Sequence, residues 1–329
     1  MLPEKGRMDS KIVREQFGEP KTMYSGHSEA LIEIAGKRKD VVVLYADFPQ
    51  NIAGPYYQEK YPDRIYNLGI AEGNMITVAA GLAEAGKVPF THCHSIFAVG
   101  RGYNQIRQIA FDRLNVKMVL CNTGIFWEFM GGSHQVIEDI ASLRAIPGIV
   151  LVSPSDAVEA GKAAMASAEY AGPVAIRLAE PKVPTIYTDD YSFDLGKAVT
   201  LRDGDDVTII STGIMVLKSI VASSLLAREG IDARVINMHT IKPLDEEIIK
   251  KSARETGAIV TAEDSNVLGG LGGAVAEIVT EDLPVPVHRI GVRDRFGQTG
   301  VMEELAREYG MGEVDIVRAA KEAVNRKTK

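Results

Sequence analysis

A glutamate stands at the junction between two apolar segments of the sequence. Glu72 follows the segment Ile65–Ile70, and a helical spacing of apolar residues begins around it, in AEGNMITVAAGLAEAG. In open parallel sheets, ligands bind outside the carboxyl ends of the strands, so a carboxyl group at a strand-to-helix junction is well placed for acid–base chemistry. The alternative is that Glu72 only complements the dipole at the start of a helix. Its position alone leaves both interpretations open.

A second group of candidates lies in the segment HCHSIFAVGRGYNQIR, residues 92–107. Phe97 and Arg101 come just after a predicted strand, where they could face the same crevice. His92 and His94 share one face of that strand because side chains alternate along it. Two such histidines could ligate a metal, but no further cluster of ligands lies nearby in the sequence. We therefore favour a substrate-facing role for His94 and predict no metal site in this chain.

Two further side chains could meet a substrate at this edge. Gly131 and Gly132 form a turn before His134, which we expect to open a helix that points back at the strand ends. Arg177 lies inside an otherwise apolar strand, where a buried charge needs a partner or an anion. The glycine-rich segment 263–279 lacks the G-x-x-x-x-G-K-[ST] and G-x-G-x-x-G patterns, so close packing against another subunit is favoured over a phosphate site.

These candidates need a scaffold in which strand ends meet, and the sequence predicts one. Short β-branched segments alternate with helical segments, and several strands are apolar at nearly every position, as in a parallel sheet covered on both faces. Strands are predicted at 41–48, 64–71, 87–95, 116–124, 149–155, 173–179, 205–213, 233–240, 257–265 and 285–292. Helices are predicted at 27–37, 72–86, 98–112, 134–145, 156–170, 214–229, 244–255, 269–281, 299–309 and 314–327. The fold class is therefore α/β, with two parallel-sheet domains.

The alternation stops once, in EPKVPTIYTDDYSFDLGKAV, residues 180–199. This stretch is rich in Pro, Asp and Tyr, and we interpret it as the region that holds the linker. We expect an N-terminal extension over residues 1–20, a first domain over 21–185, a linker over 186–196 and a second domain over 197–329.

Composition narrows the class of protein. Hydrophobic residues make up 46% and charged residues 25%, a balance typical of globular domains. No apolar segment approaches the roughly 20 residues needed to span a bilayer, and the N-terminal segment lacks the apolar core of a signal peptide. The net charge of −7 disfavours nucleic acid or an anionic membrane as the main partner. Cys93 and Cys121 lie in apolar segments and suit a reducing compartment, so a cytoplasmic location is expected.

Taken in order along the chain, these segments resemble the carboxyl-terminal half of transketolase, as found where that enzyme is split into two chains. The resemblance is carried by NLGIAEGNMITVAAGLA, FAVGRGYNQIR, GGSHQVIEDIASLRAIPGIVLVSPSDAVEA, GPVAIRL, AEDSNVLGGLGGAVAEI and GVRDRFGQTG. It covers nearly the whole chain beyond about residue 20 and implies a pyrimidine-binding domain followed by a transketolase C-terminal domain. The deoxyxylulose-phosphate synthases and the β subunits of 2-oxoacid dehydrogenases share this pair of domains. The RAIPG segment and the C-terminal motif favour transketolase.

The resemblance implies thiamine diphosphate as the cofactor. Glu72 is then expected to hydrogen-bond the pyrimidine ring and to act catalytically through it. Phe97 is expected to stack on the pyrimidine, with Asp47 and Arg101 close to the cofactor. The diphosphate and Mg²⁺ motif of the family belongs to its amino-terminal half and is absent from this sequence. The ligands of Mg²⁺ are therefore expected from a partner subunit.

The resemblance also implies roles towards the sugar. His134 is expected to hydrogen-bond substrate hydroxyls or the carbonyl oxygen and to take part in catalysis, and Arg177 to take the terminal anion.

Several positions depart from the family pattern. Met130 replaces an aspartate that recognises a sugar hydroxyl, Gly73 replaces a glutamine and Met23 replaces an arginine that helps to hold the phosphate. Asn51 and Asn122 align with a serine and a histidine that serve the same phosphate. We hypothesise an altered sugar, either a deoxy or otherwise modified ketose or one with a different terminal anion such as a sulfonate. The alternative is that the alignment is relaxed across a loop.

The resemblance implies an enzyme subunit that transfers a two-carbon ketol unit from a ketose to an aldose phosphate. It would act only with an N-terminal transketolase subunit, in an α2β2 assembly. One rival is a 2-oxoacid dehydrogenase β subunit or another thiamine-diphosphate carboligase. A second rival is a paralogue that keeps the fold but has lost its chemistry.

Overall fold

The computed structural model describes residues 17–47 and 54–327 of the chain. In the first domain, the strands are β1 (Pro20–Lys21), β2 (Val41–Tyr45), β3 (Ile65–Asn67), β4 (Val88–His94), β5 (Lys117–Cys121), β6 (Val150–Val152), β7 (Val174–Leu178) and β8 (Val183–Pro184). The helices are α1 (Met23–Lys37), α2 (Gly54–Lys60), α3 (Glu72–Glu84), α4 (Ser95–Phe111), α5 (Asp139–Arg144) and α6 (Ala157–Glu169). Short 3-10 turns span Pro62–Arg64 and Gly131–Ser133.

The second domain repeats the alternation. Its strands are β9 (Val199–Arg202), β10 (Val207–Ser211), β11 (Ala233–Asn237), β12 (Thr240–Lys242), β13 (Ile259–Asn266) and β14 (Val287–Val292). Its helices are α7 (Met215–Arg228), α8 (Glu246–Thr256), α9 (Leu271–Asp282), α10 (Met302–Glu308) and α11 (Glu313–Asn325).

The first domain is built on a mainly parallel sheet in the order β12-β6-β7-β5-β4-β2-β3. Strands β2, β5 and β7 are buried at every position, and β4 at every position except its last, because helices cover both faces of the sheet. The second domain has the order β14-β13-β10-β11-β9. The predicted α/β class with two such domains is therefore confirmed. Both sheets also carry an antiparallel edge strand, β12 in the first and β9 in the second, which was not predicted.

Each predicted strand segment overlaps an observed strand, and each predicted helical segment overlaps an observed helix. Helices α1 and α4 begin four and three residues before their predicted starts, and α5 begins well after its predicted start. His134 does not open a helix; it follows the 3-10 turn Gly131–Ser133, and α5 begins only at Asp139. The two glycines and the packing of the adjacent loop keep the segment before α5 irregular.

The two domains are joined by more than their linker. Strand β12 of the second domain pairs with β6 of the first domain's sheet. Within the predicted linker, Tyr187 and Tyr191 are buried, and their rings stack with centroids 3.8 Å apart. Tyr191 donates to the buried carboxylate of Glu159, which also accepts from Asn237 of the second domain. The linker is thus part of a packed junction, which its polar sequence did not suggest.

The glycine-rich turn before α9 packs within the chain. The backbone N–H groups of Leu271 and Gly272 donate to the buried carboxylate of Glu263. A side chain at Gly270 would meet that same carboxylate at 1.9 Å. The turn therefore packs against the chain's own strand β13, and the predicted contact of this segment with another subunit stays a prediction.

Candidate active site

Glu72 is the first residue of α3 and lies at the carboxyl edge of the first sheet, as the sequence suggested. Its side chain is 4% exposed. Arg101, one helix away on α4, places Nη1 3.2 Å from Glu72 Oε2. The same guanidinium lies over the Phe97 ring, 4.7 Å from its centroid. Glu72, Phe97 and Arg101 therefore form one contiguous surface on the neighbouring ends of two helices.

Two histidine rings adjoin Phe97, and a tryptophan ring adjoins both histidines. The His134 ring lies 5.4 Å from Phe97 and 5.4 Å from Trp127, centroid to centroid, both edge to face. His94 stacks on Trp127 at 4.6 Å and meets Phe97 edge-on at 5.9 Å. Edge-to-face and offset contacts at these distances are favourable and hold the rings in defined orientations. The structure thus brings residues from β4, α4 and two loops to one place.

His94 ends β4, and its Nδ1 lies 2.7 Å from Asn122 Nδ2 at the end of β5. Burial, together with the nearby His134, lowers the pKa of His94 to about 4, although Glu72 acts in the opposite direction. The imidazole is therefore neutral at pH 7. Asn122 in turn contacts the hydroxyl of Tyr24, a buried residue in the first turn of α1.

The loop that carries His134 is held by the second domain. Gln135 Nε2 donates to the carbonyl oxygens of Trp127 and Gln298, each at 3.1 Å. Gly132 lies so close to Gly297 of the second domain that a Cβ atom at position 132 would be 2.6 Å from the Gly297 carbonyl oxygen. Ser133 Oγ lies 2.9 Å from His134 Nδ1. The position of His134 is therefore fixed by contacts from both domains.

Other predicted site residues lie at or near the same edge. Asp47 follows β2 with a positive φ of 51° and is exposed; its backbone N–H donates to Asn67 Oδ1 at 3.1 Å. Met130 lies in the loop before His134 and is 44% exposed. Asn51 lies outside the described residues.

The predicted role of Arg177 as an anion site for the substrate is contradicted by its position. Its side chain is fully buried, and all five N–H donors are used within the chain. They donate to Asp139 twice and to Asp264, Ser153 and Ser265 once each, at 2.8–3.3 Å. The charge in this apolar strand is satisfied by two aspartates, which leaves no donor for a sugar phosphate. Arg177 instead joins the two domains.

Two side chains of the cluster were missed in the sequence. Trp127 is the chain's single tryptophan and lies in the loop after β5, and that rarity was an available signal. Tyr24 gave a weaker signal, since it lies before the predicted helix 27–37, which in the structure begins at Met23. Neither residue shares a spacing pattern with the residues it contacts.

Within 17–47 and 54–327, no group of three or more His, Cys, Asp or Glu side chains is arranged to hold a metal ion. Over the same residues, no helix combines the length and apolar character needed to cross a bilayer.

Comparison with known families agrees with this architecture. Residues 19–185 match the family described as "Transketolase, pyrimidine binding domain". Residues 196–316 match the family described as "Transketolase, C-terminal domain".

Similar proteins span the same two domains. The chain is 44% identical over 300 residues to the 6-deoxy-6-sulfo-D-fructose transketolase subunit SqwH of Clostridium sp. (strain MSTE9), covering 91% of this chain and 93% of that protein. It is 41% identical over 310 residues to a putative transketolase C-terminal section of Methanocaldococcus jannaschii, covering 93% of this chain and 97% of that protein. It is 36% identical over 301 residues to one of the subunits of the apulose-4-phosphate transketolase of Phocaeicola vulgatus, covering 91% and 96%.

A solved structure is also similar. It is described as a split gene transketolase, inactive beta4 tetramer, and aligns with a TM-score of 0.88 at 40% identity over 93% of this chain and 99% of that one. The chain therefore belongs to the transketolase family, in which it corresponds to the C-terminal subunit of a split transketolase.

Proposed function

We propose that this subunit supplies the pyrimidine-binding half of a thiamine-diphosphate site and works only with an N-terminal partner subunit, in an α2β2 assembly. The complex transfers a two-carbon ketol unit from a ketose to an aldose phosphate. The observation that carries the proposal is the buried carboxyl group of Glu72, which is joined through the Arg101 guanidinium to the half-buried ring of Phe97.

The described residues fit one part of the cofactor. Glu72 is a shielded carboxyl group that can share a proton with a ring nitrogen, and Phe97 offers a flat apolar surface beside it. When bound, thiamine diphosphate supplies the carbon nucleophile that cleaves and forms carbon–carbon bonds of sugars. The chain's own residues bind and orient the cofactor and the substrate. Glu72 holds a proton at the pyrimidine ring, and His134 and His94 face substrate oxygens. The clustered rings of Phe97, Trp127 and the two histidines exclude water.

The remaining part of the site belongs to the partner. Diphosphate and Mg²⁺ need oxygen ligands and donors, and the described residues offer no grouped set of acidic ligands at this edge. The N-terminal subunit is proposed to supply them.

Reconstitution tests this proposal directly. The purified chain with thiamine diphosphate and Mg²⁺ should give no ketol transfer, and addition of an N-terminal transketolase subunit should restore it. Glu72→Ala should abolish turnover without preventing assembly. Glu84→Ala, at the exposed far end of the same helix, is the matched control and should leave turnover unchanged. Turnover by the isolated chain, or full activity of Glu72→Ala, would contradict the proposal.

The substrate is proposed to be a modified ketose. Met130 offers a sugar hydroxyl only a weakly accepting thioether sulfur, so a hydroxyl buried against it would lose a strong hydrogen-bond partner. Arg177 cannot take the terminal anion, because its donors are all used. Two relatives are described as acting on 6-deoxy-6-sulfo-D-fructose and apulose 4-phosphate, which supports a sugar outside the common series.

Met130→Asp provides the test of specificity. In the reconstituted complex, the variant should raise kcat/KM for xylulose 5-phosphate relative to a deoxy or sulfonated ketose by about tenfold, since one recovered hydrogen bond is worth about 1–1.5 kcal/mol. A wild-type complex that already prefers xylulose 5-phosphate over every modified sugar would contradict this part of the proposal. Carbon dioxide release from a 2-oxoacid would point instead to a 2-oxoacid dehydrogenase.

A further inference from the structure

Three side chains from three elements form a continuous chain of hydrogen bonds at the edge of the site. The Tyr24 hydroxyl contacts Asn122 Oδ1 and accepts from the Asn122 backbone N–H at 2.8 Å. Asn122 Nδ2 lies 2.7 Å from His94 Nδ1. Tyr24 comes from α1, Asn122 follows β5 and His94 ends β4, so this series of hydrogen bonds runs from the helical layer to the strand ends.

The direction of each bond follows from the donors available. Tyr24 is buried, and burial raises the pKa of its phenol well above the ordinary value, so it keeps its proton. Its oxygen already accepts from the Asn122 backbone N–H, and its own O–H therefore donates. Asn122 Oδ1 is the close acceptor, since the Leu178 carbonyl oxygen is 3.4 Å away.

This donation fixes the side-chain amide of Asn122. With its oxygen facing Tyr24, its nitrogen faces His94, and an amide nitrogen can only donate. His94 Nδ1 must then accept. A neutral imidazole whose Nδ1 accepts carries its proton on Nε2.

The backbone and the neighbouring rings hold this arrangement. Asn122 has a positive φ of 59°, a conformation that asparagine tolerates better than most residues. The His94 ring is stacked on Trp127 with an interplanar angle of 26°. The ring edge opposite Nδ1 is directed away from Asn122 and Tyr24, and Phe97 and His134 flank the ring at 5.9 and 6.4 Å.

We propose that His94 is a neutral hydrogen-bond donor to a carbonyl or hydroxyl oxygen of the sugar through Nε2–H, and that Tyr24 and Asn122 are positioning residues that fix this tautomer. The contact is a hydrogen bond without proton transfer. The proposal deepens the proposed function and rests on it for the identity of the ligand as a sugar. It assigns roles to Tyr24 and Asn122 that do not involve a phosphate.

Replacements of His94 separate the two nitrogen positions in the reconstituted complex. Glutamine places an N–H near the position of Nε2, asparagine places one near Nδ1, and phenylalanine places none. His94→Gln should keep kcat/KM within about tenfold of wild type, whereas His94→Asn and His94→Phe should lose about 100-fold. Equal activity of His94→Asn and His94→Gln would overturn the proposal.

The tautomer itself is read by ¹⁵N spectra of the histidine-labelled full chain without substrate, with His94→Gln identifying the His94 signals. The proton should reside on Nε2 in wild type. In Tyr24→Phe the amide of Asn122 is free to turn, so Nδ1 should become protonated in part, and kcat should fall about tenfold. Tyr57→Phe is the matched control, because it removes a buried hydroxyl that lies 3.4 Å from the Val41 carbonyl oxygen and outside this series of hydrogen bonds. It should change neither the tautomer of His94 nor kcat.

A proton found on Nδ1 in wild type would overturn the proposal. So would a tautomer unchanged by Tyr24→Phe. Because the spectra need neither partner nor substrate, they fail or succeed independently of ketol transfer. Absence of ketol transfer in the complex would count against the proposed function instead.

Discussion

Glu72 and Arg101 form a salt bridge whose two ends lie in different surroundings. The carboxyl group is 4% exposed and the guanidinium side chain 56% exposed, with 3.2 Å between Nη1 and Oε2. The pair thus reaches from a buried helix start to solvent. Ion pairs with an exposed member contribute about 0–1 kcal/mol, because water screens the charge and the long side chain loses entropy.

Arg101 should therefore matter far less than Glu72. In the reconstituted complex, Arg101→Gln should lower kcat/KM by at most about fivefold, the equivalent of about 1 kcal/mol. Glu72→Gln should lose nearly all activity. Steady-state kinetics at saturating thiamine diphosphate compare the two. A loss above tenfold in Arg101→Gln that Arg101→Lys restores would instead indicate that Arg101 binds the cofactor directly.

Arg177 is predicted to govern stability. Arg177→Met leaves Asp139 and Asp264 as buried carboxylates without a cation, which costs about 3–5 kcal/mol. Urea unfolding at one fixed protein concentration should show this loss. Arg318→Met, which removes a mostly exposed arginine paired with Asp315, is the matched control and should change stability by about 0.5 kcal/mol or less.

A further variant separates the buried charges from the loss of packing. Replacing Asp139 and Asp264 by Asn in the Arg177→Met background removes the unpaired charges and should recover part of the stability. Unchanged stability of Arg177→Met would contradict the structural role and reopen a substrate role.

The same arginine marks the boundary of what the sequence could predict. A charge inside an apolar strand requires compensation, and that requirement was visible. The compensating groups could not be identified from the sequence, because Asp139 lies 38 residues before Arg177 and Asp264 lies 87 residues after it, in the other domain. Family resemblance assigned the charge to a ligand, whereas the fold assigns it to two aspartates.

Local patterns predicted the scaffold well. Continuous apolar strands identified the parallel sheet, and helical spacing after Glu72 located α3. The ends of neighbouring strands then brought Phe97 and His134 to the same edge. The position of Trp127 and the packing of Gly132 against Gly297 depend on contacts between irregular loops. No periodic pattern in the sequence predicts such contacts.

The crossing of α1 and α6 should tolerate no added carbon. A Cβ at Gly26 would lie 1.7 Å from the Ala157 carbonyl oxygen, a backbone atom that cannot rotate away. Gly26→Ala should therefore force the helices apart and cost about 3 kcal/mol or more. Gly81→Ala is the control: no described atom lies within 4 Å of its Cβ position, and alanine in this helix should stabilise by about 0.5–1 kcal/mol. Urea unfolding of both variants decides; a stable Gly26→Ala would contradict the observed crossing.

His27 and His92 form a buried pair with 3.1 Å between their Nε2 atoms. Burial lowers the pKa of His27 to about 4, and burial together with the charge of His27 lowers that of His92 well below its ordinary value. Between pH 6.5 and 4 the unfolded chain thus binds protons that the folded chain does not. The contribution of this histidine pair to stability should be level above pH 6.5 and should fall as the pH drops, by about 3 kcal/mol for His27 alone at pH 4.

Replacing His27 isolates this contribution from the carboxylates that also titrate in acid. His27→Phe should be less stable than wild type at pH 7.5, because His92 loses its partner, but its disadvantage should shrink steadily between pH 6.5 and 4. Urea unfolding of both proteins at pH 7.5, 6.5, 5.5 and 4.5, at one protein concentration, gives the slope of the free energy of unfolding against pH for each. Parallel slopes would mean that His27 titrates normally in the folded chain, which its burial against Phe90 and His92 argues against.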